Sequence, residues 1–210
     1  MSDKKYLNVG CGHHYAAGWI NTDVWEDEKT CPDVLVRRDE PYPFEDNYFD
    51  AIYLGHVLEH ISWTKIGVFL KEMVRVAKPG APVLAVGPDV YRTIQRWKEG
   101  KEPWDMVRSV MEHQDIDAQL YHTADDGSYV ASPPPTPEWW DGAAHYWNCH
   151  EARLDQVMKT HFGEVQIYSS FIESDLPGNR QTWYDSRNNI TWPVVGYWWW
   201  QCAVAGKVIK

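Results

Sequence analysis

The sequence predicts an α/β fold, a parallel sheet covered by helices on both faces. Three observations carry this. Short apolar runs of strand length alternate along the chain with segments whose apolar residues recur at helical spacing. The first run, Tyr6–Val9, ends in Gly10-Cys11-Gly12, and the second ends in the carboxylate of Asp23. Between about 65 and 76, Ile66, Phe69, Leu70, Met73 and Val74 line one helical face, and the pattern stops at Lys78-Pro79-Gly80.

Taken in order, the strands are Tyr6–Val9, a second ending near Asp23, a third around Val34–Arg37, a fourth at Ala51–Leu54 and a fifth at Pro82–Val86. Asp89–Gly100 and Pro103–Tyr121 read as helices. Ala131–Pro137 is proline-rich, and Pro133-Pro134-Pro135 demands an extended, stiff connection. Glu151–His161 reads as a helix with Leu154, Val157 and Met158 inward, and Glu164–Ser169 and Trp198–Val208 as the last two strands. At 210 residues the chain suits one sizeable domain, 1–210. Residues from about 90 to 147 read as an insertion or lid, not a second domain.

Composition narrows the function classes. The net charge of −10, from 20 basic and 30 acidic residues, disfavours nucleic acid as a partner, because gripping a phosphate backbone needs a basic surface. A local basic patch from Arg92, Arg96, Lys98 and Lys101 is the exception to that acidity. No apolar run approaches the length of a membrane span, and the chain runs from Met1 straight into its first strand, so a cytoplasmic enzyme is expected. Cys11, Cys31, Cys149 and Cys202 are far apart with no C-x-x-C pair, as expected of reduced thiols. Thirteen tryptophans exceed ordinary usage. Clusters such as Trp139-Trp140 and Trp198-Trp199-Trp200 read as core or an oligomer interface, with an aromatic acceptor pocket as the alternative.

The glycine turn and Asp23 imply a nucleoside site: glycine admits a ligand against bare backbone, and a carboxylate accepts hydrogen bonds from ribose hydroxyls. A dinucleotide fingerprint is incomplete, since Tyr15 stands where its third glycine belongs and Asp23 arrives early. No Walker-type Gly-Lys-Ser/Thr follows either.

Further blocks follow in order: Pro43-Phe44-Glu45-Asp46-Asn47-Tyr48-Phe49-Asp50-Ala51-Ile52-Tyr53, then His56-Val57-Leu58-Glu59-His60-Ile61, then Leu70 to Val86. With these the sequence resembles the class I S-adenosylmethionine-dependent methyltransferases, in particular a small bacterial and phage group with LNxGCG, GWxNxD and PFxDNxFDxIY…HVLEHI motifs. The resemblance spans about residues 6–90 closely and 148–208 loosely. It implies a Rossmann-like seven-stranded, mostly parallel sheet with an antiparallel last strand. It also implies a 90–147 insertion after the fifth strand that shapes the acceptor pocket. The implied cofactor is S-adenosylmethionine, and the implied reaction is methyl transfer to an oxygen or nitrogen of a small-molecule or glycan-like acceptor.

Carried over residue by residue, Gly10, Cys11 and Gly12 lie beneath the methionine part of the cofactor, with Asn8 at the strand end. Asp23 takes the ribose hydroxyls, Val24 packs on adenine, and Asp39, or less readily Glu40, faces the adenine amino group. Gly55 and His56 line the sulfonium. His60 and His145 are the candidate bases, with Tyr15 as a positioning group. His56-Val57-Leu58-Glu59-His60 also spells the H-x-x-E-H of a zinc hydrolase, which needs the motif within a helix. Some methyltransferases carry E-x-x-E-H here and bind a divalent metal. His56 replaces their first glutamate, so no metal ligands are assigned, although His145 or His150 would complete such a set with Glu59 and His60. A non-catalytic S-adenosylmethionine-binding module is the remaining alternative.

Overall fold

The computed structural model describes residues 4–37, 40–104, 107, 121–123, 129–131, 145, 147, 149–170, 172, 182–194 and 200–210. Its centre is a seven-stranded sheet. Strands β1 (Tyr6–Val9), β2 (Ile20–Asp23), β3 (Val34–Leu35), β4 (Ala51–Gly55) and β5 (Pro82–Pro88) run parallel. β8 (Phe162–Ile167) and β11 (Gln201–Val208) complete it in the order β3-β2-β1-β4-β5-β11-β8, with β11 antiparallel to both neighbours. The expected sheet, with its antiparallel last strand, is thus present.

Strand alternation divides the core. Leu7, Val9, Ile52, Leu54, Val83, Ala85 and Val204 point to one face. There they meet Ile66, Leu70, Met73 and Val76 of α1 (Trp63–Val76), and Leu154, Val157 and Met158 of a helix at Glu151–Lys159. The expected inward residues of that second helix are the observed ones. Ala51, Tyr53, Leu84, Val86 and Ala203 point to the opposite face. Among the described residues, that face packs against Trp19, Tyr168, Ile172 and a hairpin of β9 (Trp183–Asp185) and β10 (Ile190–Trp192). Trp19, Trp147, Trp183 and Trp192 are buried, so these four fill core. Trp139, Trp140, Trp198 and Trp199 lie outside the described residues.

Local chemistry fixes the boundaries. Asp89 caps α2 (Val90–Lys98), its carboxylate accepting from the Arg92 amide at 3.0 Å. His150 caps Glu151–Lys159, hereafter α3, by accepting from the Arg153 amide at 3.4 Å. The Pro43–Tyr53 block delivers β4 into the sheet. Arg75, near the end of α1, binds Glu72, Asp46 and the carbonyls of Phe44 and Tyr42. Asn47 turns the chain at φ 59°, and the amides of Tyr48 and Phe49 donate to Val76 at 2.7 and 3.0 Å. Lys78 then binds Asp50 at 2.7 Å.

Two expectations change. The helix expected over Pro103–Tyr121 lies mostly outside the described residues, and its last residue instead opens β6 (Tyr121–Thr123), which pairs antiparallel with β7 (Tyr129–Ala131). Both segments are rich in aromatic and β-branched residues, which favour strands. The β9–β10 hairpin was not foreseen, because each strand has only three residues. The structure of most of the expected lid falls outside the described residues. No helix among those described is long and apolar enough to cross a membrane.

Candidate functional site

In an open parallel sheet, ligands bind beyond the carboxyl ends of the strands, where the strand order reverses. Here that point lies between β1 and β4, where the glycine turn follows β1 and Gly55-His56 ends β4. Gly10 and Gly12 both take positive φ, 60° and 48°, a region that favours glycine. The turn is tied to β2 twice: the Cys11 amide donates to Thr22 O at 3.0 Å, and the Gly12 amide donates to Asp23 Oδ2 at 2.8 Å. The other Asp23 oxygen accepts from the Trp25 amide at 3.0 Å. Asp23 is therefore aimed across the glycine turn, with lone pairs left on both oxygens. A Cβ on Gly12 would meet no atom within 4 Å, so that side of the turn is open. A Cβ on Gly10 would lie 2.7 Å from Val57 Cγ2, so Gly10 also serves close packing.

The other expected residues divide. Asn8 is buried, and its amide NH2 donates to Asn21 Oδ1 at 2.9 Å and to His14 O at 3.2 Å, so it braces the loop instead of presenting a donor. Asn21 in turn is held by Asp33 and by the carbonyls of Ala16 and Trp19. Tyr15 is exposed and donates to Asp33 at 2.8 Å. Cys11 is buried, and burial, reinforced by Asp23, pushes its thiol up to about 11, which suits packing better than nucleophilic chemistry. Val24 is 40% exposed just beyond Asp23. Asp39 lies outside the described residues. Glu40 is exposed and pairs with Arg37 at 3.1 Å.

At the end of β4, Gly55 leads into His56, whose φ is +55° although it carries a side chain. Its amide still continues the ladder, donating to Val86 at 2.8 Å. The ring is held on three sides. Nδ1 lies 3.1 Å from Glu59 Oε1, Nε2 lies 3.1 Å from the Gln201 side-chain nitrogen, and Trp200 packs with its centroid 5.1 Å away. Because the carboxylate only accepts, Nδ1 donates to Glu59. Gln201 escaped sequence reasoning, and Trp200 stood out only as part of the Trp198-Trp199-Trp200 cluster, with no partner assigned. They arrive from the far end of the chain, and no local pattern announces their contact with His56.

Leu58–His60 forms one 3-10 turn, not an α-helix, so the helical setting that a zinc-hydrolase reading requires is not met. Glu59 is fully buried beneath the turn. Burial opposes its ionisation, but the His56 hydrogen bond and the charges of His56, His60 and His145 prevail and hold its carboxyl well below the ordinary range. The candidate bases are brought together, the rings of His60 and His145 meeting edge to face at 4.7 Å. Trp147 fixes the approach of His145 by donating its indole N–H to Leu58 O at 2.9 Å. His150 is not part of this group, since its ring caps α3 and packs on Tyr91 at 4.5 Å. A cavity of about 350 Å³ lined by Lys4, Tyr6, Asp50 and Lys78 lies instead where β1 and β5 begin, remote from the glycine turn.

Residues 7–85 match a family model described as a methyltransferase domain. Among solved structures, the chain is similar to a SAM-dependent methyltransferase from Methanosarcina mazei, at 16% identity and a TM-score of 0.51, over 100% of this chain and 95% of that one. It is also similar to the CurJ carbon methyltransferase, at 13% identity and a TM-score of 0.50, over 100% of this chain and 50% of that one. The chain has the Rossmann-like methyltransferase fold, and its match to the methyltransferase domain covers the segment that carries the glycine turn, Asp23 and β4.

Proposed function

We propose that this chain is a class I S-adenosylmethionine-dependent methyltransferase of the small bacterial and phage kind. It transfers a methyl group to an oxygen or nitrogen of a small-molecule or glycan-like acceptor in the cytoplasm. The observation that carries the reading is the Asp23–Gly12 hydrogen bond at the point of strand reversal, 2.8 Å long, inside the segment that matches a methyltransferase domain.

The residues fit the cofactor. The open side of Gly12 leaves room for a ligand against the backbone. Asp23, already anchored by two amides, has acceptor capacity for a ribose diol, and Val24 offers an exposed apolar face to adenine. Asp39 is proposed for the adenine amino group, since Arg37 occupies the carboxylate of Glu40. Bound S-adenosylmethionine supplies a methyl group on an already activated sulfonium. The protein's own work is then alignment and, for a hydroxyl acceptor, proton removal. His56, locked by Glu59 and Gln201, shapes the floor beside β4. We assign proton removal to His60 and His145, whose rings meet at 4.7 Å.

Calorimetric titration of the full chain with S-adenosylhomocysteine tests the reading. One site per chain is expected, with affinity weakened at least tenfold in Asp23→Ala while the circular dichroism spectrum stays native. Absence of binding by the unmutated protein overturns it. S-adenosylmethionine binding that yields no S-adenosylhomocysteine with any acceptor class favours the non-catalytic module.

A further inference from the structure

Glu59, His60 and His145 do more than lie near one another. Each offers a ligand atom, and these atoms all fall within 4.8 Å of one another. Independently of that clustering, the fully buried carboxylate of Glu59 is only half satisfied. Oε1 accepts from His56, whereas Oε2 has no hydrogen-bond partner. An anionic oxygen left in that state is costly, and native proteins resolve it with a proton, a partner or a cation.

We propose that Glu59, His60 and His145 form a three-ligand site for a divalent first-row transition metal. One carboxylate and two imidazoles make a donor set suited to Zn2+, Co2+, Fe2+ or Mn2+, and three protein ligands leave coordination positions for water or another oxygen ligand. Metal–ligand bonds of about 2.0–2.2 Å require the three atoms to draw closer than they are now. Glu59 is fully buried whereas His60 and His145 are only partly buried, so the closing movement falls to the histidines. The outer shell is in place. His56 donates to Glu59 at 3.1 Å and is braced by Gln201, which sets the carboxylate's orientation. Trp147, bonded to Leu58 at 2.9 Å, holds the chain that bears His145 against the chain that bears Glu59 and His60.

The experiment uses the full chain, stripped with a chelator and then titrated with Co2+ and separately with Zn2+. Calorimetry should give one strong site per chain, and Co2+ should develop visible ligand-field absorption and raise Tm. His145→Ala and His60→Ala, at partly buried positions, should each weaken Co2+ binding at least tenfold and change the spectrum. His161→Ala, outside the cluster, should change neither. Glu59→Gln should abolish binding, and if it fails to fold the two histidine variants still decide. No stoichiometric site, or a Co2+ spectrum and affinity unaltered by His145→Ala, overturns the proposal. S-adenosylhomocysteine binding is read in a separate titration, so failure here is distinguishable from failure of the methyltransferase reading. A ring nitrogen that holds a cation cannot also accept a proton. Co2+ binding that depends on both histidines therefore assigns them as ligands and removes them as bases.

Discussion

The indole N–H of Trp147 donates to the carbonyl of Leu58 at 2.9 Å, joining positions 89 residues apart in the chain. Trp147 is buried, packs on Trp63 at 5.1 Å, and has the Arg153 guanidinium 5.9 Å from its ring. It thereby docks the segment just before α3 onto the Leu58–His60 turn. Trp147→Phe keeps an aromatic filler and deletes the hydrogen bond. Leu58 O retains its bond from the Ile61 amide, so no acceptor is orphaned. The expected loss is about 1–2 kcal/mol, combining one buried hydrogen bond and a smaller ring. Urea denaturation measures it, and an unchanged midpoint would show that the contact does not hold the two segments together.

The N-terminal half is where sequence and structure agree most closely, for a physical reason. Gly10 and Gly12 owe their conformations to backbone geometry, and Asp23 meets Gly12 only eleven residues away, so local pattern suffices to place them. The amphipathic spacing of Ile66, Leu70 and Met73 likewise encodes its own burial. The features missed depend on distant partners. Gln201 reaches His56 across 145 residues, and the three-residue strands β9 and β10 take their meaning from a sheet face already built by β1, β4 and β5. Asn8 illustrates a different limit. Its position at a strand end pointed to the ligand, but its amide is consumed by Asn21 and His14, which sequence spacing alone does not reveal.

Asp185 makes acid stability testable. It is fully buried at the end of β9 and accepts from Arg187 Nε at 2.9 Å, Asn188 at 2.7 Å and Trp192 Nε1 at 3.4 Å. Burial alone would raise its pKa, but the hydrogen bonds from Asn188 and Arg187 and the Arg187 charge outweigh it and hold the carboxyl below its ordinary value. The unfolded chain therefore binds a proton more readily than the folded one. The resulting stability is complete above the ordinary carboxylate range and is lost as pH falls through the folded value. Asp185→Asn should cost about 2 kcal/mol at pH 7, since charged hydrogen bonds of this kind are worth about 1.5–3 kcal/mol. The variant should also lose stability less steeply than the unmutated protein below about pH 4, near the ordinary aspartate value. Equal acid slopes for the two proteins would show that Asp185 does not anchor the hairpin in the way its contacts imply.

Gly10 and Gly12 have similar backbone angles and should nevertheless respond differently to alanine. Gly12→Ala pays the left-handed strain, about 1–2 kcal/mol, but its methyl enters open space. Its principal effect should be on the ligand side, with S-adenosylhomocysteine binding weakened at least tenfold while the fold survives. Gly10→Ala pays the same strain and also drives a methyl to 2.7 Å from Val57 Cγ2, overpacking that typically adds about 1–3 kcal/mol. Its principal effect should be on Tm. Adding Val57→Ala should recover part of that loss, because the clash disappears while the backbone strain stays. A double variant whose destabilisation equals the sum of the two single ones would refute the steric explanation for Gly10.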